Sequence, residues 1–271
     1  MNKVQHLAIF CVNFHSYSYL YRFLDSVEVS AKNVAEIMDI TVFVADNTEQ
    51  DAETICHDQY DYLEVCVFAF NKNLGYFGAV QKMMDAVSAV SYDYTIICNV
   101  DLILAQDAFR CICKLPSNSD VGWYANSIMS KVEKRDRNPS VLHRYSLRHL
   151  KLLRFMFNHP RIHWLYNHSL YQRKKMKKQL QIPKDIYAGH GSFILLTNSF
   201  FQKCELHYSE FLYCEELYVA ELCRINHLRV CYEPSIIVYD DEHVSTSKLK
   251  RSFFYQCHVN ALSFIINTFY H

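Results

Sequence analysis

The chain has 271 residues, of which 51% are hydrophobic, and its 28 basic and 28 acidic residues give a net charge of zero. With only five glycines and five prolines, this composition excludes a disordered or linker protein and leaves ample mass for a buried core. No run of roughly 18 apolar residues occurs, so a transmembrane helix is not expected. The apolar N-terminal segment lacks a small-residue cleavage site, so we expect a first strand there and no signal peptide.

Eleven cysteines are scattered from Cys11 to Cys257, and most of them lie within apolar runs. No CxxC pair occurs, whereas disulfide scaffolds and zinc ribbons show paired cysteine spacings. The pattern therefore predicts buried free thiols in a reducing compartment, and we expect a cytoplasmic protein.

Strand and helix patterns alternate through the first hundred residues. Strands are predicted at 6–12, 40–45, 63–70 and 94–99, and helices after Ser16, from Thr48 onwards, and from the turn NKNLGYFG to Val90. This alternation predicts a doubly wound α/β fold, with a mostly parallel central sheet and helices on both faces.

The second half of the chain is less regular. It predicts a strand at 121–127, a glycine turn followed by a strand and the start of a helix within 189–201, a helix at 215–227, two short strands (LRVCYE and SIIVY), and a C-terminal helix over 251–271.

The charges are strongly segregated along the chain. The segment 131–184 carries fifteen Lys and Arg but only two acids, Glu133 and Asp136, which leaves 13 basic and 26 acidic residues elsewhere. Three interpretations compete for this segment, namely contact with an anionic membrane surface, binding of nucleic acid or a nuclear localisation signal, and a solvated helical insertion.

Polar residues follow several of the predicted strands. In doubly wound sheets, ligands bind beyond the carboxyl ends of the strands. We therefore expect Asn13, Asp46, Asn73 and Asp101 to line one crevice.

Seven motifs occur in an order that resembles the family-2 glycosyltransferases with the GT-A fold, especially bacterial rhamnosyltransferase-like and capsule-type members. They are VNFHSYSYLYRFLDSV, VADNTEQD, NKNLGYFGAVQ, NVD, GHGSFILL, FLYCEELYVAELCR and VYDDEHVST, and the resemblance covers residues 7–128 and 187–247. It implies a single GT-A domain over 1–271, with a nucleotide-sugar half (1–104), the basic insertion (130–184), an acceptor and catalytic half (185–250) and a C-terminal helix (251–271).

The resemblance also implies which residues bind the nucleotide sugar. Asp46 resembles the aspartate that accepts a hydrogen bond from the donor base, although position alone fits a helix cap equally well. Asn73, Gly75 and Gly78 resemble a turn whose glycines let the backbone approach phosphate at a helix N-terminus. Asn13 and Asn99 complete this expected donor site.

Asn99-Val100-Asp101 matches the DxD-type position of the family. The resemblance implies that Asp101 holds a divalent cation, Mg²⁺ or Mn²⁺, against the donor diphosphate. In the VYDDEHVSTS loop, the family pattern H-x-E-x-x-S puts Asp240 at the histidine position, and His243 is the alternative metal ligand.

Glu215 and Glu216 resemble the family's Glu-Asp pair, whose second acid is the catalytic base that deprotonates the acceptor hydroxyl. Acids in a first helical turn also simply favour the helix dipole, which is the structural alternative. Gly189, His190 and Gly191 resemble the glycine turn on the acceptor side.

The resemblance therefore implies a metal-dependent, inverting transfer of a sugar from a nucleotide-diphosphate donor to a glycan or lipid-linked glycan acceptor, in surface polysaccharide synthesis. For such an enzyme, membrane contact through residues 131–184 becomes the preferred interpretation of the basic segment, and no nucleic-acid partner is expected. Two alternatives remain. One is a sugar-phosphate nucleotidyltransferase, although this chain lacks the basic glycine-rich loop expected of such an enzyme. The other is a membrane- or nucleic-acid-binding protein on an inactive GT-A-like scaffold.

Overall fold

A computed structural model describes residues 4–116, 118–166, 183–240 and 250–271 of the chain. Within these ranges, ten strands form one sheet that draws on both halves of the chain. The strands are β1 Gln5–Asn13, β2 Met38–Asp46, β3 Glu64–Ala69, β4 Tyr94–Asn99, β5 Leu102–Leu104, β6 Val121–Ser130, β7 Arg135–Asp136, β8 Asp185–Ile186, β9 Phe193–Thr197 and β10 Arg229–Asp240.

Helices cover both faces of this sheet. They are α1 Tyr17–Lys32, α2 Tyr76–Met84, α3 Ala108–Ile112, α4 Leu147–Asn158, α5 Pro160–Tyr166, α6 Asn198–Lys203, α7 Glu215–Ile225 and α8 Arg251–Phe269. None of the helices in the described ranges combines the length and the apolar content needed to cross a bilayer.

The strands run in the order β3-β2-β1-β4-β9-β6-β10-β5. β3, β2, β1 and β4 are parallel to one another, as the alternating sequence pattern predicts. β9 runs antiparallel to both β4 and β6, and β5 runs antiparallel to β10. The reversed β9 brings the glycine turn that precedes it to the same edge as the carboxyl end of β4.

Both faces of the sheet are buried, and β1 shows why. Its Leu7, Ile9 and Cys11 pack on the face covered by α1 and α3, and its Ala8 and Phe10 pack on the other face against α2, α6, α7 and α8. A strand buried on both faces has to be apolar throughout, and this is why HLAIFCV is a continuous apolar run.

Three predicted elements differ from the structure. No helix forms at Thr48, because Asp46 accepts the Thr48 backbone N–H within a turn and residues 47–62 stay irregular. The helix α2 ends at Met84, well before Val90. LRVCYE and SIIVY belong to one strand, β10, whose register shifts between Glu233 and Ile237 around Pro234, a residue that cannot donate to a ladder.

A buried carboxylate ties the second half of the fold together. The fully buried Glu221 of α7 accepts hydrogen bonds from Arg144 Nε (2.6 Å), Tyr187 Oη (2.6 Å) and Arg224 Nε (2.7 Å). Arg144 also donates to the carbonyl oxygen of Phe269 at the end of α8. Burial alone would raise the pKa of Glu221, but these donors lower it below its usual value, so the carboxylate stays ionised and fixes α7.

Candidate functional site

The side chain of Asp46 is fixed at the carboxyl end of β2. Asn13, its register partner on β1, donates to Asp46 Oδ1 (3.1 Å), as does the backbone N–H of Thr48 (3.1 Å), and Tyr17 Oη donates to Oδ2 (2.8 Å). Two carboxylate oxygens offer about four acceptor sites, so this arrangement leaves room for a further donor. The carboxylate is only 4% exposed, and it is therefore oriented by the fold.

The turn at Asn73–Gly75 lies next to Asp46 and leads into α2. Asn73 Oδ1 accepts the Gly75 backbone N–H (3.0 Å), and Asn47 Nδ2 donates to the Gly75 carbonyl (2.9 Å). Gly75 has φ +75°, and a Cβ there would lie 2.1 Å from the Phe211 carbonyl oxygen, so only glycine fits. By contrast, a Cβ at Gly78 would meet only ordinary contact distances.

Asp101 lies in the short loop between β4 and β5 and is 8% exposed. Burial raises the pKa of the Tyr76 hydroxyl well above its usual value, and the nearby charges of Glu215 and Asp101 raise it further. Tyr76 Oη donates to the Gly191 carbonyl oxygen (3.1 Å). Tyr76 therefore connects the start of α2 to the glycine turn.

The pair Glu215–Glu216 begins α7 after two strained residues. Tyr213 and Cys214 have φ values of +74° and +62°, a region that costs energy for residues other than glycine and that is enriched at functional sites. Among the described residues, Glu215 Oε1 has no hydrogen-bond partner. Burial, followed by the charge of Glu216, raises the pKa of Glu215 to about 8.

Glu216 has a different environment from Glu215. It is half-buried, and burial raises its pKa. A Cβ on Gly191 would lie 3.2 Å from Glu216 Oε2, so the bare backbone of the turn allows this carboxylate its position. Two adjacent acids thus differ in solvation, which is the usual means by which proteins separate their protonation states.

His190 stands between the two glycines of the turn. Its Nδ1 lies 2.9 Å from Ser192 Oγ, and its backbone N–H donates to Asn138 Oδ1 (2.7 Å). Burial, together with the charge of Arg137, lowers the pKa of His190 to about 4. The imidazole is therefore neutral at physiological pH.

Asp240 ends β10 and is 3% exposed, and Arg137 Nη1 lies 2.5 Å from its Oδ2. His243 lies outside the described residues. Among those described, no cluster of three or more His, Cys, Asp or Glu side chains could hold a metal ion by itself. Asp101 fits the mode in which one or two carboxylates bind Mg²⁺ or Mn²⁺ while substrate phosphates and water complete the shell.

The structure joins several of the residues expected from the sequence. Asn13 contacts Asp46, Asn73 contacts Gly75, Gly191 borders Glu216, and the Asn99 backbone N–H donates to the Ser192 carbonyl oxygen (3.0 Å). Sequence reasoning missed Tyr17, Tyr76, Arg137 and Asn138. Tyr76 belongs to the NKNLGYFG motif, and this could have indicated that it lies at the site. No sequence feature indicated Arg137 or Asn138, because they belong to a segment with many basic residues and none of these stands out from the others.

Comparison with known proteins connects this geometry to a family. A sequence model for "Glycosyltransferase like family 2" matches residues 5–254. No curated protein matches the chain at a significant level.

Solved structures share the fold. Similar structures include GalNAc-T7 with UDP, GalNAc and Mn²⁺ (TM-score 0.60, 11% identity, 96% of this chain and 48% of that one). The mannosyltransferase PcManGT from Pyrobaculum calidifontis, in complex with GDP-Man and Mn²⁺, has a TM-score of 0.55 and 9% identity over 97% of this chain and 74% of that one. TarS from S. aureus has a TM-score of 0.53 and 10% identity over 97% and 44%. This chain thus spans less than half of two of these proteins, and identities this low show the GT-A fold alone.

The raised pKa of Glu215 predicts how the stability of the protein depends on pH. Between the usual carboxyl pKa near 4.3 and a folded value of about 8, the folded state binds more protons than the unfolded state, so stability falls as pH rises through this window. We expect Glu215→Gln to remove this loss. At pH 8.5 its free energy of unfolding should exceed that of wild type by about 2 kcal/mol or more, since one pKa unit corresponds to about 1.4 kcal/mol. Denaturant unfolding at pH 5 and 8.5 measures the difference.

The matched control is Glu36→Gln, since Glu36 is exposed on another surface. It should follow wild type at both pH values. An equal pH dependence for wild type and Glu215→Gln would contradict the assigned environment of Glu215.

Proposed function

The chain belongs to glycosyltransferase family 2, and on this premise we propose that it transfers a sugar from a nucleotide-diphosphate donor to a glycan or lipid-linked glycan acceptor. One observation carries the proposal. Asp46 and Asp101 lie at the carboxyl ends of the parallel strands β2 and β4, and the reversed β9 brings the Gly191 turn, which borders Glu216, to the same edge of the sheet. A sugar transfer needs a site for the leaving nucleotide diphosphate and a base for the incoming hydroxyl, and these carboxylates supply both.

The donor half of the proposal rests on Asp46, the Asn73–Gly75 turn and Asp101. The acceptor site left on Asp46 suits an N–H of the nucleotide base, and Asn13 and Asn73 complete the walls of the donor site together with Asn99. Gly75 precedes the first residue of α2, whose Tyr76 backbone N–H donates to the Phe211 carbonyl oxygen (3.3 Å), so a phosphate at this helix end would be held by the amides that follow Tyr76. A divalent cation held by Asp101, when bound, would offset the charge on the leaving diphosphate.

The catalytic half rests on Glu216. Glu215 is largely protonated at neutral pH because its pKa is about 8, so it is the poorer base of the two. Glu216 faces the Gly191 backbone, beside Gly189 and the neutral His190, where we expect the acceptor to bind. Removal of a proton from the acceptor hydroxyl there would let its oxygen attack the anomeric carbon from the side opposite the leaving group, and this inverts the configuration.

Nucleotide binding is the first test. UDP, GDP, dTDP and CDP are screened by thermal unfolding with and without Mn²⁺, and we expect one of them to stabilise the protein, by about 2.7 kcal/mol at a hundredfold excess over Kd. Asp101→Asn should lose the Mn²⁺-dependent part of this stabilisation. The matched control is Asp85→Asn, since Asp85 is the C-cap residue of α2 and its side chain is exposed; this variant should retain the Mn²⁺-dependent stabilisation. No stabilisation by any of the four diphosphates would refute the donor site.

The catalytic base is tested separately. We expect Glu216→Gln to bind the selected nucleoside diphosphate as wild type does, while turnover of the matching nucleotide sugar falls about 10²- to 10⁴-fold. Release of the nucleoside diphosphate in a coupled assay measures turnover. Wild-type turnover in Glu216→Gln would transfer the role of base to another group.

We further propose that the enzyme contacts an anionic membrane through the basic segment 131–184, in keeping with a lipid-linked acceptor, polysaccharide synthesis and a cytoplasmic setting. The described part of this segment supports the idea. The outward side of α4 carries Arg148, Lys151, Leu152 and Phe155, and the last two are 53% and 49% exposed. Their positions fall on one side of a helix, opposite the buried Leu150.

The neighbouring helices continue this surface. Trp164 is 50% exposed and shares an open cleft with Pro160, Arg161 and Arg251. No Asp or Glu occurs anywhere between residues 137 and 184. Exposed aromatic and aliphatic side chains interleaved with cations, without acids, are typical of a surface that lies on anionic lipid.

A vesicle-binding assay tests this surface. We expect wild type to sediment with phosphatidylcholine vesicles that contain phosphatidylglycerol, but not with phosphatidylcholine alone. The double variant Arg148→Glu with Lys151→Glu should weaken binding at least about tenfold, given about 1 kcal/mol per basic residue. Lys114→Glu with Lys203→Glu makes the same charge change on exposed positions elsewhere. Equal binding by both double variants would exclude α4 as the contact surface.

A further inference from the structure

The ion pair between Arg137 and Asp240 is buried. The side chains are 12% and 5% exposed, and Nη1 and Oδ2 lie 2.5 Å apart. Removing two charges from water costs several kcal/mol per ion, and apolar residues of similar volume are often as stable or more stable in such positions. Stability alone therefore does not account for this pair, and its location suggests a role at the site.

The register of the sheet puts the pair beside Asp101. Asp240 lies opposite Leu102 in the antiparallel pairing of β10 with β5, and Leu102 is the residue after Asp101. The backbone of β10 at Asp240 thus borders the loop that we assign to the donor diphosphate.

The residue after Arg137 contacts the glycine turn. This residue, Asn138, accepts the His190 backbone N–H at 2.7 Å, and the charge of Arg137 contributes to the lowered pKa of His190. Arg137 is therefore close to both the Asp101 loop and the turn at Gly189–Gly191, which form the two sides of the proposed reaction site.

The negative charges at the proposed site need a cation to offset them. Asp101, Asp240 and Glu216 are acids, and a donor diphosphate would add further negative charge, whereas Glu215 is largely protonated at neutral pH. His190 is neutral at physiological pH and cannot offset it. A guanidinium stays charged at any such pH, and its five N–H donors allow it to hold a carboxylate and a phosphate oxygen together.

We propose that Arg137, oriented by Asp240, donates to a phosphate oxygen of the donor's diphosphate and so provides a fixed positive charge beside Asp101. The proposal rests on the donor site argued above. It assigns Asp240 to the positioning of Arg137, in place of the metal-ligand role that the sequence resemblance implies. It also means that part of the affinity for the diphosphate is independent of any divalent cation.

Isothermal titration calorimetry tests this inference with the nucleoside diphosphate selected by the thermal screen and with the corresponding nucleoside, each in EDTA and in Mn²⁺. We expect Arg137→Gln to weaken diphosphate binding about 10- to 100-fold, in EDTA as well as in Mn²⁺, since a hydrogen bond to a charged group is lost. Nucleoside binding should change less than about threefold. The diphosphate affinity of Arg137→Lys should lie between those of wild type and Arg137→Gln, because lysine keeps the positive charge but lacks the forked N–H donors of the guanidinium.

A double variant separates this role from a structural one. Arg137→Gln alone leaves Asp240 buried without its partner, whereas Arg137→Gln with Asp240→Asn removes both charges. We expect the double variant to recover the thermal stability of wild type but not its diphosphate affinity. Arg135→Gln, an exposed neighbour paired with Glu133, is the matched charge control and should bind as wild type does.

The outcomes are distinct. Recovery of diphosphate affinity in the double variant would show that Arg137 only neutralises Asp240, and an unchanged affinity in Arg137→Gln would also overturn the proposal while leaving the donor site intact. Failure of wild type to bind any nucleoside diphosphate would overturn the donor site, and this inference with it.

Discussion

Buried carboxylates are the constraint on which this structure depends. An ionised carboxyl group removed from water must be offset by donors or cations, or it must take up a proton. Asp46 has three donors, Glu221 has two arginines and a tyrosine, and Asp240 has Arg137. Glu215 has one carboxylate oxygen, Oε1, without a hydrogen-bond partner among the described residues, and burial raises its pKa to about 8.

The partners of these carboxylates come from distant parts of the chain, and this couples the site to the fold. Tyr17 reaches Asp46 from α1, whereas Arg137 reaches Asp240 across about a hundred residues of sequence. Reversal of β9 delivers the turn at Gly189–Gly191 against the start of α7. The parallel strands position the proposed donor side, and the antiparallel β9 brings the proposed acceptor side to it.

The alternation of strands and helices was predictable from the sequence, whereas the roles of the candidate site residues stay predictions. Apolar runs and helical spacings report burial directly, so β1, β2, β4 and α7 were identified close to their observed positions. The predicted helix at Thr48 was wrong because a carboxylate next to a possible helix start can serve either a helix or a turn, and Asp46 is used by the turn. The two predicted strands on either side of Pro234 are one strand, since a bulge lets β10 continue past a residue without an N–H.

The partners of the site residues were harder to predict for a physical reason. A tyrosine in an amphipathic helix, such as Tyr17, has the same local pattern whether its hydroxyl reaches solvent or a buried acid. Arg137 belongs to a segment with fifteen basic residues, and its sequence context does not distinguish it from Arg135, which is exposed. Only the packing around β7 and the end of β10 distinguishes Arg137 from the exposed Arg135.

The same physical rule divides the roles of the adjacent acids. Glu215 and Glu216 follow one another on α7, yet Glu215 is buried, whereas Glu216 is only partly buried and faces the bare backbone of Gly191. When Glu215 holds a proton, it adds no negative charge beside Asp101, and repulsion of an incoming diphosphate is reduced. In the proposed transfer, the neutral state of Glu215 and the positive charge of Arg137 would act in the same direction, because each would lower the negative charge that the donor meets while Glu216 would serve as the base.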